Sequence, residues 1–414
     1  MARNGWVNYI RNRWVSLLRN THVHPIRQID AQTYLAASVF LHTMDGWNYL
    51  SRAVDSLMNG DKGASIHMAY YAELRATMGF LASEGISAVN TNSYCLDASS
   101  KIIGCDGSMP THEFTWEALS GWINDPTKSR ISLARYFQVS NKSFSEWIDA
   151  TPGGVQASIF NNYMSKWLKE WTIDIQDYRE DKRGRNLVSY NPQRIIDTKP
   201  VDFTECINYI TSFWHLLEPG ASSDFSMLDK YLFKKLYNII AQGLSKGTGK
   251  IITAENLATD AAKRLGVNLD PSLLNILKQN DEHSIFTLSS LPTVDYNTKP
   301  FNVNAGSILA RALLMLRVSS GAAAYLLNEC NFNSDDTKFY WMTAGLDSGL
   351  WEPGDAPDDL SDLWIDIADS IAGIKDGLEA LGNPVTAKGL SSLLSEALIP
   401  FKQLNRAGLW SIIN

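Results

Sequence analysis

The feature that most constrains this chain is a pair of long apolar stripes separated by three turn-forming residues. Over residues 31–59, Leu35, Val39, Phe40, Trp47, Leu50, Val54 and Leu57 recur at helical intervals, the spacing that lines up side chains on one face of an α-helix. Over 63–84, Ile66, Tyr70, Leu74, Met78 and Leu81 do the same, and Glu84-Gly85 closes the run. Asn59-Gly60-Asp61 stands between the two, and residues of this kind end helices and turn the chain. Two amphipathic rods on so short a tether fold back as an antiparallel hairpin with their stripes facing.

The pattern weakens over 86–155, where Gly, Ser, Asn and Pro are frequent. A strand-like run at Val89–Leu96 and helices near 113–123 and 128–137 are expected there, as an insertion. A clean stripe returns over 157–178, with Phe160, Tyr163, Met164, Trp167, Leu168, Trp171, Ile175 and Tyr178. Asp202 and Glu205 then have the form of a capping box. They open a helix with Phe203, Ile207, Ile210, Trp214 and Leu217 inward, stopped by Pro219-Gly220. Further helices are predicted at 225–244, 254–265, 271–278, 305–328, 360–382 and 388–398. The one at 305–328 carries only Arg311 and Arg317 as internal charges and reads as buried on most sides.

These periods define an all-α chain in three parts. Residues 1–30 hold a short basic amphipathic helix (Trp6, Tyr9, Ile10 and Trp14 against Arg11, Arg13 and Arg19) and a linker. Residues 31–220 form a helical bundle with its insertion at about 86–155. Residues 221–414 form a helical C-terminal region.

With 414 residues, 45% hydrophobic and 20% charged, the chain has ample material for a core. The net charge of −7 argues against a general nucleic-acid coat, which would be basic overall. Cys95, Cys105, Cys206 and Cys330 show no zinc-ligand spacing. A Cys95–Cys105 bridge is conceivable, and buried free thiols are the alternative. No apolar run approaches the ~20 residues of a membrane span, and the N-terminus has no apolar signal core. The expected location is cytoplasmic, with no membrane partner, no metal and no cofactor.

One segment departs from this apolar logic. Arg183-Gly184-Arg185-Asn186-Leu187-Val188-Ser189-Tyr190-Asn191-Pro192 is a polar knot between two periodic helices, and Arg179, Lys182, Arg183 and Arg185 gather cationic charge there. The first stripe's partner contains His67-Met68-Ala69-Tyr70-Tyr71-Ala72, followed by Arg75 and Ala76. Two antiparallel helices, an insertion, a third helix, a polar motif and a fourth helix resemble the HEPN superfamily (higher eukaryotes and prokaryotes nucleotide-binding). The likeness spans roughly residues 31–218.

The resemblance implies a four-helix module whose signature is an Arg, a polar residue and then a His four to six positions beyond the Arg. It implies that two copies meet across a dimer interface and cleave RNA without metal. Arg supplies a permanent charge for a phosphate, and His exchanges a proton with a 2′-hydroxyl near neutral pH. Here Arg185 and Asn186 fit the first positions, and Tyr190 stands where the His belongs. With a phenol pKa near ~10, Tyr190 is a poor base, so phosphate binding at Arg185 is expected to outlast cleavage. Arg185 and Asn186 read equally well as caps of the third helix. Arg19-Asn20-Thr21-His22-Val23-His24 also fits the letters, but it precedes the hairpin and abuts Pro25.

The candidate catalytic set is therefore Arg185, Asn186 and Tyr190, with Arg179, Lys182 and Arg183 as candidate nucleic-acid contacts. The resemblance implies a subunit of a bacterial antiviral (antiphage) defence system. Its partners would be further copies of itself or other defence subunits, such as an ATPase or a nuclease. The alternatives are a metal-independent endoribonuclease and a sensor of RNA or DNA. His67 reads as solvent-facing or satisfied, and His42 and Asp45 as a structural pair.

Overall fold

A computed structural model describes residues 28–89, 93–96, 101–105, 109–124, 131–151, 166–167, 175–190, 201–220, 225–279, 295–298, 301–381 and 385–413. The basic segment at 5–19, the Arg19–His24 string and most of the expected helix at 157–178 lie outside these residues.

The fold is all-α. The first two helices, α1 (Gln28–Met58) and α2 (Lys62–Ser83), form the expected hairpin. Gly60 takes a φ of +82° at the turn, and Asp61 caps α2 by accepting the Ala64 N–H at 2.8 Å. The two helices approach closely because small residues line their crossing. A Cβ on Gly79 would lie 2.6 Å from Thr43 Oγ1 and 3.2 Å from the Val39 carbonyl.

The region after the hairpin holds short strands β1 (Ile86–Ser87), β2 (Tyr94–Leu96) and β3 (Ile102–Gly104) in an antiparallel sheet. The helix α3 (Thr111–Asn124) follows, then α4 (Ile131–Ala134), the ribbon β4 (Gln138–Val139) and β5 (Lys142–Ser143), and α5 (Phe144–Asp149). Cys95 and Cys105 are free thiols, and burial together with the neighbouring Cys95 pushes Cys105 up to about 11.

The polar knot differs from expectation. Its residues 183–190 are not a loop between helices but the second half of α6 (Ile175–Tyr190), and Asn191 and Pro192 lie outside the described residues. This helix lies against α2 and α3, so the segments around 70 and 185 are neighbours. The next helix, α7 (Phe203–Leu217), begins at Asp202, whose carboxylate accepts the Glu205 N–H at 3.1 Å.

Beyond residue 220 come α8 (Ser226–Thr248), α9 (Ala254–Leu265), α10 (Pro271–Lys278), the ribbon β6 (Asp295–Thr298) and β7 (Phe301–Asn304), and α11 (Ala305–Glu329). After these lie α12 (Ser334–Asp347), α13 (Leu363–Leu381), α14 (Ala387–Leu393), α15 (Ser395–Phe401) and α16 (Asn405–Ile413). By length and composition α11 could cross a membrane, yet 89% of its apolar window is buried inside the protein. It packs on both helices of the hairpin, and α16 packs on α1 and α11. Helices on both sides of residue 220 thus share one hydrophobic core.

The two arginines of α11 are paired where they are buried. Arg317 donates to Asp229 of α8 at 2.7 and 2.8 Å and to the Tyr136 carbonyl at 2.8 Å. Arg311 joins two carboxylates, Glu73 of α2 at 3.2 Å and Asp181 of α6. The large indoles behave as amphipathic core rings. Trp47 donates to Ser320 Oγ, Trp214 to the Phe401 carbonyl and Trp147 to the Val139 carbonyl.

Candidate functional site

Helical geometry decides which motif residues can act together. Successive residues turn by about 100°, so Arg185, Asn186 and Tyr190 leave α6 in different directions. Arg185 is 7% exposed and faces α2, whereas Tyr190 is 72% exposed at the end of the helix. The side chain sharing the Arg185 face is Ser189, four residues on. Asn186 is half-buried beside them. The motif letters therefore do not converge, because the segment is helical and not a loop.

The cationic residues on the outer side of α6 are neutralised in place. Arg179 meets Glu117 at 2.5 Å, Lys182 meets Glu113 at 2.9 Å, and Arg183 pairs with Glu180. Glu113 and Glu117 stand one turn apart on α3 and match the spacing of Arg179 and Lys182. Exposed pairs of this kind contribute little stability, but they remove the open basic face expected here.

Arg185 is different. Its guanidinium carbon lies 5.3 Å from the Tyr70 ring centroid and 5.5 Å from that of Tyr71. Its buried Nε has no hydrogen-bond partner. Among the described residues no carboxylate forms an ion pair with it: Glu73 and Asp181, which flank the same seam, are taken by Arg311. A buried cation held by two aromatic rings is stabilised by their quadrupoles, yet among the described residues no carboxylate cancels its charge.

Two imidazoles flank this cation. His67 Nδ1 is 2.7 Å from Ser189 Oγ, and His112 Nδ1 is 3.0 Å from the Tyr70 hydroxyl. Both rings pack on Tyr71, at centroid distances of 5.0 and 5.7 Å. Burial and then the Arg185 charge hold both histidines below the ordinary value, His112 down to about 4. Both are neutral at pH 7 as a result. Burial raises the Tyr70 hydroxyl, which also accepts the Trp116 indole N–H at 3.4 Å. Trp116 stacks in parallel on Tyr178 at 4.3 Å, tying α3 to α6.

The polar seam continues along the hairpin. Arg75, one turn beyond Tyr71, lies 3.0 Å from His42 Nδ1 and 3.8 Å from Asp45. Burial and the Arg75 charge push His42 down to about 3. Tyr49 stacks on Tyr71 at 5.3 Å. His67, Tyr71 and Arg75 thus form one half-buried stripe on α2, met by His42, Asp45 and Tyr49 from α1.

From the sequence His67 reads as solvent-facing or satisfied, and its place in the site is missed; the signal that could have found it is its four-residue spacing to Tyr71 and Arg75, a polar stripe beside the apolar one. His112 carried no such signal: only the packing of α3 brings it to Tyr70. Among the described residues no three His, Cys, Asp or Glu side chains converge as a metal site. The groups present suit anion binding by guanidinium, proton exchange by neutral imidazole and stacking on tyrosine.

No family model matches the chain, and no curated protein or solved structure matches it.

Proposed function

We propose that the chain acts on RNA through a HEPN-like site that grips a phosphodiester at Arg185, with His67 and His112 as the proton-exchanging groups. The observation that supports this reading most is the buried Arg185 guanidinium, which has no ion-pair partner among the described residues and sits between two neutral imidazoles. An incoming phosphate would supply the missing negative charge and occupy the free Nε. Tyr71 and Tyr49, half-buried at the rim, offer rings on which an unpaired base can stack.

The corresponding reaction is internal transesterification. One neutral imidazole takes the 2′-hydroxyl proton, and the 2′-oxygen bonds to phosphorus. The bond to the 5′-oxygen breaks, and that oxygen receives a proton from the other histidine, which takes up a proton and becomes imidazolium once phosphate is bound at Arg185. Bound phosphate offsets the Arg185 field that holds the histidines down, so it raises their proton affinity when the donor is needed. The products are a 2′,3′-cyclic phosphate and a free 5′-hydroxyl.

Labelled single-stranded RNA incubated with the protein in EDTA tests the reading. Cyclic-phosphate ends that disappear with Arg185→Met and with His67→Ala support it. Neither cleavage nor binding by the wild-type protein would sink it.

Binding without cleavage leads to a second reading, a subunit of a bacterial antiviral assembly with a degenerate module. The exposed Tyr190 at the end of α6 favours it, being presented outward to a partner and not inward to the site.

A further inference from the structure

Two thiols outside the Arg185 site, Cys95 and Cys105, are brought together by strand register. In the β2–β3 ladder Cys95 stands opposite Ile103, and Leu96 opposite Ile102. The Cys105 N–H donates to the Ser93 carbonyl at 2.8 Å, which extends the ladder and sets Cys105 against Ser93. Side chains alternate faces along a strand. Ser93 and Cys95 therefore share one face, and Cys105 joins them there as a diagonal neighbour of Cys95. The two thiols lie within hydrogen-bonding reach of each other.

That face is the outer one. Ile103 on it is 50% exposed, and both cysteines are half-buried. Tyr94 and Leu96 point the other way. The Tyr94 hydroxyl donates to the Ala31 carbonyl of α1 at 3.2 Å, and Leu96 lines an apolar cleft together with Cys330. A small oxidant thus reaches the Cys95–Cys105 pair from outside, while Cys330 stands by the inner face of the sheet and Cys206 is buried in α7.

The two thiols are not equivalent. Burial, and then the neighbouring Cys95, pushes Cys105 up to about 11, so Cys105 holds its proton. Thiolate and not thiol is the nucleophile. Cys95 is accordingly the attacking sulfur, and Cys105 the one that resolves the intermediate.

We propose that Cys95 and Cys105 form a redox couple, which a small disulfide converts into a bridge between β2 and β3. The Cys95 thiolate attacks one sulfur of oxidised glutathione. A mixed disulfide forms on Cys95, the glutathione S–S bond breaks, and one glutathione leaves. The Cys105 sulfur then bonds to the Cys95 sulfur and displaces the second glutathione. Two protein thiols are oxidised, one small disulfide is reduced, and both thiol protons end on the two released glutathione molecules. β3 is the edge strand of its sheet. β2 is already tied to the hairpin, through the Leu96 N–H to the Gly85 carbonyl at 2.9 Å and through Tyr94 to Ala31. Oxidation therefore fastens the outer strand of the insertion to α1 and α2.

The test is a thiol map of the full-length protein. Reduced protein is incubated with oxidised glutathione, quenched in acid, unfolded, alkylated and mapped by peptide mass. The expected result is alkylation of all four cysteines before oxidation. Afterwards Cys95 is bonded to Cys105, Cys206 is still alkylated, and dithiothreitol restores the reduced map. Cys105→Ser should stop at the mixed disulfide on Cys95, and Cys95→Ser should take up at least tenfold less glutathione at Cys105. Circular dichroism checks that both variants fold, and the wild-type map stands without them. Amide hydrogen exchange over 94–104 should slow in the oxidised protein. The proposal is overturned if Cys95 and Cys105 stay alkylatable, if either is bonded to Cys330 or to a second chain, or if the bridge speeds exchange over 94–104.

Discussion

Replacing Arg185 by Met separates a binding role from a structural one, because the two predict opposite changes in stability and affinity. In the folded protein without ligand, the guanidinium carries an orphaned buried Nε, a cost of about 1–3 kcal/mol. Against this stand the Tyr70 and Tyr71 contacts at 5.3 and 5.5 Å, each contributing about 0.5–2 kcal/mol. Met keeps most of the side-chain length without the charge, so the two terms nearly cancel. The expected change in unfolding free energy is within about 2 kcal/mol of zero. Affinity has no such cancellation. Loss of one charge-assisted hydrogen bond to phosphate removes about 1.5–3 kcal/mol, a weakening of roughly ten- to hundredfold. Urea unfolding measures the first quantity, and fluorescence anisotropy with labelled single-stranded RNA measures the second. If Arg185 instead only caps or braces α6, breaking it should cost on the order of 3–5 kcal/mol and leave RNA affinity unchanged. That pair of results would refute the reasoning.

Three further outcomes follow from the same geometry. His112 and His42, held at about 4 and about 3, bind fewer protons folded than unfolded between those values and 6.5, so stability falls as pH drops through that window. Urea midpoints measured from pH 7 to pH 4 should show the fall, and His112→Ala should flatten part of it. The buried triad predicts an asymmetry, because two carboxylates share one guanidinium and burial, reinforced by Asp181, raises Glu73 well above its usual value. Glu73→Gln should therefore change stability by less than about 1 kcal/mol, while Arg311→Met leaves facing carboxylates and costs about 3–5 kcal/mol at pH 7, shrinking as the pH falls and the carboxylates are protonated. Gly79→Ala places a methyl 2.6 Å from Thr43 Oγ1, whose hydroxyl is fixed on the Val39 carbonyl at 2.7 Å. It should cost about 1–3 kcal/mol in the same unfolding assay.

Much of the framework was readable without coordinates. The α1–α2 hairpin, the turn at Gly60, the Asp202 start of α7 and the helices at 254–265 and 271–278 all sit where local signals put them. The buried character of α11 was also plain from its composition. Two elements were not readable, for physical reasons. Helix α12 carries Asp335 and Asp336 in its first turn and no single apolar stripe, so it gave no periodic signal. The knot at 183–190 looked like a loop because its residues are polar, yet it is helical with Arg185 against α2 and Tyr190 in solvent.

Periodicity is a local property, and it determined the helical class, the turns and the apolar face of each rod. It also marked Arg185 as a cation in a polar segment between periodic helices. What only tertiary structure decided is the company that cation keeps. His67 reaches Ser189 across 122 positions, and Arg311 joins Glu73 across 238. Such meetings depend on how closely whole helices approach, here through Gly79 and Gly46 at the α1, α2 and α11 crossings. No window of sequence short enough to show a period contains both partners, so the site is a consequence of packing and not of any motif.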